Sequence, residues 1–421
     1  MTGQPAGCPE HRGLSRRRFL QGVGLAAGAM AAGPVVSARA AYAGTGAWQG
    51  NVLVVLSLHG GFDGLSAICP IGDPDYALAR PTIAVPPSLA IPTGDRMFGL
   101  HPALRPLLPL WQAGTMAAVQ AVGTPDLSRS HFTATEELER AAPGTSVRTG
   151  WLDRVLGANG TGTVFEAVQL GSGTPGPLLA GPAPALATRR LGDFSLASRD
   201  WVGPRMTDTL RALHTGVDLP AVAPALLTLA ALDTTDALTK ADPGVGNGAA
   251  YPAGSELANA LKDAAVLIRA DVGLQALTLD VGDWDLHSGL GKDGGGVMAD
   301  RLADVAACLA AFATDLGPKF DRVTVITVSE FGRRVAENGS GGVDHGHGNA
   351  VLLLGGGLRG GQVHGAWPGL AEAALDDGDL AGTTDYRNVL AEALLRRGGL
   401  PAAALPDVFP GLPVQPVGAF A

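Results

Sequence analysis

Aspartate, glutamate and histidine residues gather in a few short segments of this sequence, with spacings that suit metal binding. Asp283, Asp285 and His287 are each two residues apart, and His345 and His347 have the same spacing. On an extended segment, residues two and four apart share one face. Mixed carboxylate and imidazole ligands suit zinc, manganese or iron, whereas oxygen ligands alone suit calcium or magnesium. We therefore expect a divalent metal site, with zinc ahead of manganese or iron.

Four such segments, 59–63, 126–131, 283–287 and 330–347, each follow an apolar run, and we expect them to form one shared site. Taken alone, each could be a loop whose aspartate caps a turn or a helix. Together they contain five of the eight histidines that lie beyond residue 43. The candidate metal ligands are Asp63, Asp283, Asp285, His287, Glu330, His345 and His347.

The segment Ser128-Arg129-Ser130-His131 stands just before a predicted helix and offers a different chemistry. A serine there could cap the helix, or its hydroxyl could act as a nucleophile toward phosphorus or sulfur beside a cation. Both Ser130 and Ser128 remain candidates. His131 could be a ligand or a polar contact, and Arg129 or Arg333 could hold an anionic substrate.

The sequence predicts alternating strands and helices, which must position these residues. Apolar runs such as 51–58, 115–122, 274–281 and 323–328 are typical of strands buried on both faces, as in a parallel sheet. Helical spacing is clearest over 297–316. The pattern predicts an α/β fold whose mostly parallel central sheet is flanked by helices on both faces, with the ligand site beyond the carboxyl ends of the strands.

The first 43 residues read as an export signal rather than as part of the fold. Ser15-Arg16-Arg17-Arg18-Phe19-Leu20 precedes a weakly apolar stretch and small residues, which is the layout of a twin-arginine signal. The stretch is shorter than the ~20 residues that a membrane span needs, and no later stretch qualifies. We expect export to the periplasm or the extracellular space, with a single domain over residues 44–421 that carries an irregular insertion at 171–255.

The net charge of the chain argues against two classes of binding partner. The whole chain has a net charge of −9, and removing five basic residues and one acidic residue with the signal would leave 25 basic and 38 acidic residues, a net charge of −13. Such a chain is a poor partner for nucleic acid or for an anionic membrane surface. Cys69 and Cys308 could form a disulfide in an oxidising compartment.

Five motifs in order, LHGGFDGL, SRSHF, DWDLH, SEFGR and DHGHGN followed by LLLGGGLRGGQVHG, resemble the DUF1501 family of exported bacterial proteins. That family is similar to the alkaline phosphatase and sulfatase superfamily. The resemblance runs from about residue 52 to 365. It implies an alkaline-phosphatase-like fold, metals at the strand ends, a hydroxyl nucleophile that opens a helix, and phosphate or sulfate esters as substrates.

Carried over by position, Asp63 resembles the metal carboxylate after the first strand, and Ser130 or Ser128 the nucleophile. Asp283 or Asp285 with His287 resembles one ligand pair, and His345 or His347 the last metal histidine. Glu330 and Phe331 stand where phosphatases carry Asp and His, so one metal site lacks an imidazole. No cysteine precedes SRS in the sulfatase pattern.

The resemblance therefore favours an exported metal-dependent hydrolase that acts on a small anionic ester. A transferase that moves a phosphoryl-type group onto a cell-envelope component, namely a sugar, would use the same site. The alternative is a non-catalytic surface or assembly protein that keeps the fold and a structural metal.

Overall fold

A computed structural model describes residues 48–196, 203–217, 219, 222–241 and 243–421. The proposed signal segment, residues 1–43, lies outside the described residues. Fourteen strands are found in the described part: β1 Val52–Leu58, β2 Ile68–Cys69, β3 Ile91–Pro92, β4 Gly99–Leu100, β5 Met116–Gly123, β6 Ala167–Leu170, β7 Leu186–Thr188, β8 Ala276–Val281, β9 Val323–Val328, β10 Asn349–Gly355, β11 Val363–His364, β12 Leu375–Asp376, β13 Asp379–Leu380 and β14 Thr384–Asp385.

The α-helices of the same residues alternate with these strands. They are α1 Gly64–Ala67, α2 Pro74–Ala79, α3 Leu108–Gln112, α4 His131–Arg140, α5 Trp151–Asn159, α6 Gly203–His214, α7 Val222–Ala241, α8 Glu256–Arg269, α9 Val297–Leu316, α10 Tyr386–Arg396 and α11 Leu405–Val408. Short 3-10 turns lie at Pro102–Leu107, Pro177–Leu179, Leu191–Asp193, Gly246–Gly248, Gly317–Arg322, Glu372–Ala374 and Ala402–Ala404.

A nine-stranded, mostly parallel sheet forms the centre of the described structure. Its order is β11-β5-β10-β9-β1-β8-β6-β7, and β14 also pairs with β5. Strand β1 is parallel to β8 and β9, and β6 is parallel to β7 and β8. Strand β10 runs antiparallel to both β5 and β9. The predicted α/β class and mostly parallel sheet are confirmed.

Both faces of the sheet are covered, which explains why its strands carry apolar residues at consecutive positions. All seven residues of β1 are buried. Val54 and Leu56 pack into a core that contains residues of α8 and α9, whereas Leu53 and Val55 pack into a second core with residues of α5 and α10. Side chains alternate between faces along a strand, so helices on both faces require apolar residues at consecutive positions.

Several sequence predictions match the element bounds closely, and one class of element was missed. Strand 323–328 and helix 297–316 have the predicted ends. Short strands such as β6, and the antiparallel direction of β10, carried no signal that periodicity could detect.

Cys69 and Cys308 are both buried, and neither forms a disulfide. No helix of the described residues is long and apolar enough to cross a membrane.

Candidate metal centre

The polar segments singled out in the sequence meet at one edge of the central sheet. Strands β1, β5, β8 and β9 are parallel, so the loops that follow them leave from the same edge. Strand β10 runs the other way, so the segment before it, which carries Asp344 to His347, reaches that edge as well. The chain direction of β10 therefore explains how histidines that precede a strand join residues that follow other strands.

Four side chains converge there. Nε2 of His345 lies 3.0 Å from Nε2 of His131, 3.0 Å from Nε2 of His287 and 3.2 Å from Oδ1 of Asp285. Oδ1 of Asp285 is 3.0 Å from Nε2 of His287 and 3.6 Å from Nε2 of His131. Ligands about 2.0–2.2 Å from a tetrahedral zinc ion are separated by roughly 3.3–3.6 Å. The spacing of His131, Asp285 and His345, whose ligand atoms lie within 4.8 Å of one another, fits a metal ion of this kind.

The far nitrogen of each imidazole is held by an acceptor, which fixes the tautomer. Nδ1 of His131 donates to Oε1 of Glu330 at 2.7 Å. Nδ1 of His345 donates to the carbonyl of Arg129 at 3.0 Å, and Nδ1 of His287 donates to Oδ1 of Asp344 at 2.9 Å. When the imidazoles are neutral, the single N–H of each lies on Nδ1, so each Nε2 presents a lone pair to the cluster. Three such lone pairs and a carboxylate oxygen in close contact repel one another, and a cation between them would relieve that repulsion.

Asp285 is kept ionised by a fully buried guanidinium. Nη2 of Arg333 donates to Oδ1 of Asp285 at 2.6 Å. Burial raises the pKa of Asp285, but the hydrogen bond and charge of Arg333 outweigh it and lower the pKa to about 2. The rest of the Arg333 side chain donates to backbone carbonyls, including Gly61 at 2.6 Å and Val343 at 3.0 Å. Arg333 therefore positions Asp285 and ties three loops together.

Glu330 lies behind His131 rather than among the converging atoms. Its Oε1 also accepts the backbone N–H of Gly60 at 2.8 Å, and its Oε2 accepts from Oγ of Ser329 at 3.1 Å. Burial raises the pKa of Glu330, but these backbone hydrogen bonds and the one from His131 outweigh it, so the pKa is lowered. A buried carboxylate that orients a histidine in this way is a usual support for a metal ligand.

Two glycines allow the loops to approach this closely. Gly60 has φ +113°, and a Cβ there would lie 2.7 Å from the backbone nitrogen of Asp285. Gly346 lies between the two histidines, and a Cβ there would lie 2.4 Å from the carbonyl carbon of Arg333. The segment around Gly346 pairs with 332–334, where Gly346 N donates to Gly332 O at 2.9 Å. These contacts set the position of His345.

Asp63 is placed elsewhere, in a buried ion pair. Nη1 of Arg80 donates to Oδ2 of Asp63 at 2.6 Å, Nη2 donates to Oδ1 at 3.0 Å, and Oγ of Ser66 also donates to Oδ2. Both carboxylate oxygens are thus occupied within the protein. The sequence resemblance suggested a metal-bridging role, but the structure does not bring Asp63 together with the imidazole cluster.

Asp283 and His347 also point away from the cluster. Asp283 has φ +69°, which breaks the extended alternation expected for 283–287, and its carboxylate lies largely in solvent, 3.6 Å from Nη1 of Arg301. Nε2 of His347 lies 2.9 Å from the carbonyl of Thr124, and its Nδ1 is buried without a hydrogen-bond partner. Of the seven candidate ligands, the structure converges Asp285, His287 and His345 and places Glu330 directly behind them.

The two serines differ in their surroundings. Oγ of Ser128 is exposed and donates to Oδ2 of Asp126 at 2.8 Å. Ser130 occupies the N-cap position of α4, but its side chain makes no capping hydrogen bond. His131 begins that helix, so the residue after Ser130 reaches the cluster. Ser130 is therefore the better placed of the two hydroxyls.

Neither predicted anion-binding arginine is free. Nε of Arg129 donates to Oδ2 of Asp379 at 2.8 Å, and Arg333 is occupied as described above. His131 is the converging residue whose role the sequence left open between a ligand and a polar contact. The signal that favours it is its position as the first helical residue after the loop that follows a buried strand.

The sequence profile of a family described as proteins of unknown function, DUF1501, matches residues 113–395 of this chain. This chain belongs to the DUF1501 family. The matched range contains all four converging residues of this DUF1501 protein, as well as Glu330, Arg333 and Asp344. Asp63 and Arg80 precede it.

No curated protein matches the DUF1501 chain. Among solved structures, one described as "Crystal structure of Ps i-CgsB" shares 11% sequence identity and covers 75% of this chain and 68% of that one, with a TM-score of 0.28. That TM-score is too low for an inference about fold or function.

Proposed function

We propose that this DUF1501 protein is an exported, metal-dependent hydrolase of phosphate or sulfate esters, with an alkaline-phosphatase-like fold. The observation that carries the proposal is the convergence of three imidazole Nε2 atoms and the Asp285 carboxylate at the loop edge of a mostly parallel sheet. Ligand sites of α/β proteins lie at this edge. The donor set suits zinc, with manganese or iron as the next candidates.

The metal would be held by His131, Asp285 and His345, with His287 beside them. When bound, it would polarise the ester and stabilise charge that develops in the transition state. Glu330, Asp344 and the Arg129 carbonyl fix the imidazole orientations, as their hydrogen bonds to the Nδ1 atoms require. Arg333 keeps Asp285 anionic.

Ser130 is the proposed nucleophile. It stands at the N-terminus of a ten-residue helix whose first backbone N–H groups have no partner within the helix. These groups and the helix dipole favour an anionic phosphoryl or sulfuryl group beside the hydroxyl. The same field would lower the cost of ionising Oγ, which attacks the phosphorus or sulfur atom while the ester bond breaks.

The second candidate is a non-catalytic exported protein with a structural metal. A specific observation favours it: the superfamily resemblance implies further metal ligands, but Asp63 is saturated by Arg80 and Phe331 replaces an imidazole. A single ion closed off by four protein ligands would be typical of a structural site.

An assay on protein exported and folded in vivo separates the two. Zinc content is measured by elemental analysis, and turnover is measured with 4-nitrophenyl phosphate and 4-nitrophenyl sulfate. We expect one metal ion and turnover that Ser130→Ala lowers by about a thousandfold or more, because it removes the nucleophile. The matched control, Ser128→Ala, removes an exposed hydroxyl that donates to Asp126 and accepts the backbone N–H of Ser130 at 3.3 Å, and it should lose less than about tenfold because Oγ of Ser130 remains.

Metal without turnover of either ester would support the structural alternative, and a metal-free protein would remove the basis of both. Equal losses in the two serine variants would contradict the assignment of Ser130.

A further inference from the structure

A second polar network lies at the same edge of the sheet and takes no part in the metal cluster. Nε2 of His59 lies 3.0 Å from Oδ1 of Asp280. Nε2 of Gln169 donates to Oδ2 of the same carboxylate at 2.9 Å, and Gly176 N donates to Oε1 of Gln169. The three side chains come from the ends of β1, β8 and β6, which are neighbours in the sheet.

This network is fixed more firmly than an ordinary surface ion pair. Gln169 is buried, and both of its amide atoms are used, so the Asp280 carboxylate is held from behind. Asp280 in turn holds one nitrogen of His59, whose side chain keeps 32% exposure to solvent. A carboxylate that orients an accessible imidazole is the arrangement that proton-transfer catalysis uses.

The backbone of His59 connects the network to the metal centre on both sides. The carbonyl of His59 accepts the N–H of Trp284 at 3.2 Å, next to the ligand Asp285. The following residue, Gly60, donates to Glu330, which holds His131. His59 therefore lies between the two loops that deliver the imidazole and carboxylate ligands.

The titratable groups with the largest effect on the pKa of His59 are acidic. They are Asp280 on β8, Glu330 after β9 and Glu139 on α4. The hydrogen bond to Asp280 is the largest effect and raises the pKa of His59, against the lowering effect of burial. The hydrogen bond to Asp280 thus shifts His59 toward the imidazolium form, which is the form that can donate a proton.

We propose that His59 is the general acid of the ester hydrolysis and that Asp280 is its positioning residue; this inference rests on the proposed function. Ser130 first loses its hydroxyl proton to solvent. As the Oγ alkoxide then bonds to phosphorus or sulfur and the bond to the leaving oxygen breaks, His59 gives its proton to that oxygen. A water molecule next attacks the seryl ester while neutral His59 takes one of the water protons, and Ser130 leaves as the alkoxide. Atoms and charge then balance over the two steps.

The test compares leaving groups. Phenolate needs a proton far more than 4-nitrophenolate does, so loss of a general acid should affect phenyl esters selectively. His59→Gln keeps a hydrogen bond to Asp280 but cannot transfer a proton at neutral pH. We expect kcat/KM for phenyl phosphate, or phenyl sulfate, to fall by about a hundredfold or more. The 4-nitrophenyl ester should lose less than about tenfold, and zinc content should stay unchanged.

Two further variants sharpen the result. Asp280→Asn should retain leaving-group selectivity but move the alkaline limb of the pH–rate profile to lower pH, because Asp280 favours the imidazolium. His364→Gln is the control, since His364 lies on β11 and contacts the Arg359 carbonyl. It should change neither kcat/KM nor the pH profile.

Equal losses for phenyl and 4-nitrophenyl esters in His59→Gln, or loss of zinc from that variant, would overturn the general-acid role while leaving the hydrolase proposal intact. A wild-type protein that holds zinc but turns over neither class of ester would instead overturn the proposed function, and this inference with it.

Discussion

At the residue scale, the centre depends on which nitrogen of each histidine carries the proton. Glu330, Asp344 and the Arg129 carbonyl each take the Nδ1–H of one histidine. Loss of such a support typically weakens metal affinity by about 10–100-fold, whereas loss of a ligand removes the site. Substitution of a histidine that is a ligand should therefore lower the metal content far more than substitution of a nearby histidine that is not.

His345 and His347 provide that comparison within one loop. We expect His345→Ala to reduce bound zinc to near zero, because Nε2 of His345 contacts all three of the other converging atoms. His347→Ala should retain zinc, because its Nε2 faces the Thr124 carbonyl. Elemental analysis of both purified variants measures the difference. A loss of zinc from His347→Ala alone would contradict the assigned ligand set.

At the element scale, Arg80 joins the loop after β1 to the segment after β9. Besides Asp63, it donates from Nε to the Val335 carbonyl at 2.9 Å and from Nη2 to the Arg334 carbonyl at 2.9 Å. The arginine is fully buried, so its charge depends on Asp63 for compensation. Burial raises the pKa of Asp63, but the charge and hydrogen bonds of Arg80 outweigh it and lower the pKa.

Asp63→Asn should therefore lower the free energy of unfolding by about 3–5 kcal/mol, because it leaves a buried guanidinium without its counter-ion. Zinc content should be unchanged, which separates a structural role from the metal-bridging role that the resemblance implied. Denaturant unfolding with parallel elemental analysis measures both. The exposed Asp283→Asn is the control, and we expect it to leave stability and zinc content as in the wild type.

At the scale of the whole molecule, a buried carboxyl gives stability a defined pH dependence. Burial raises the pKa of Glu139, on α4, from its ordinary 4.5 to about 7. Between these values the unfolded chain loses this proton while the folded chain keeps it. The folded state then binds more protons, so its stability falls as pH rises through this window.

Glu139→Gln should remove that component and raise stability at pH 8 by about 1–3 kcal/mol, with little change at pH 4. Thermal or denaturant unfolding from pH 4 to 8 measures the slope. Glu136→Gln alters an exposed carboxylate on the same helix, paired with Arg140 at 2.7 Å, and should change stability by less than about 1 kcal/mol. A parallel pH slope in wild type and Glu139→Gln would show that Glu139 ionises freely in the folded state.

The sequence by itself determined the fold class and the edge of the sheet where the site lies. Consecutive apolar positions in β1 and β9 require cover on both faces, and parallel strands send their following loops to one edge. These are local patterns with a general geometric consequence, so they could be read without coordinates. The concentration of Asp, Glu and His after those strands indicated what kind of site to expect.

Only the tertiary structure decided which of these side chains meet. Asp63 is taken by Arg80, a partner 17 positions away in the chain, and Asp283 leaves the shared face because its backbone is left-handed. His131 reaches the cluster because α4 begins at that residue. His345 reaches it because β10 runs antiparallel and brings the loop before it to the same edge of the sheet. Coordination depends on side-chain directions and long-range contacts within a few ångströms, and residue spacing alone does not fix either.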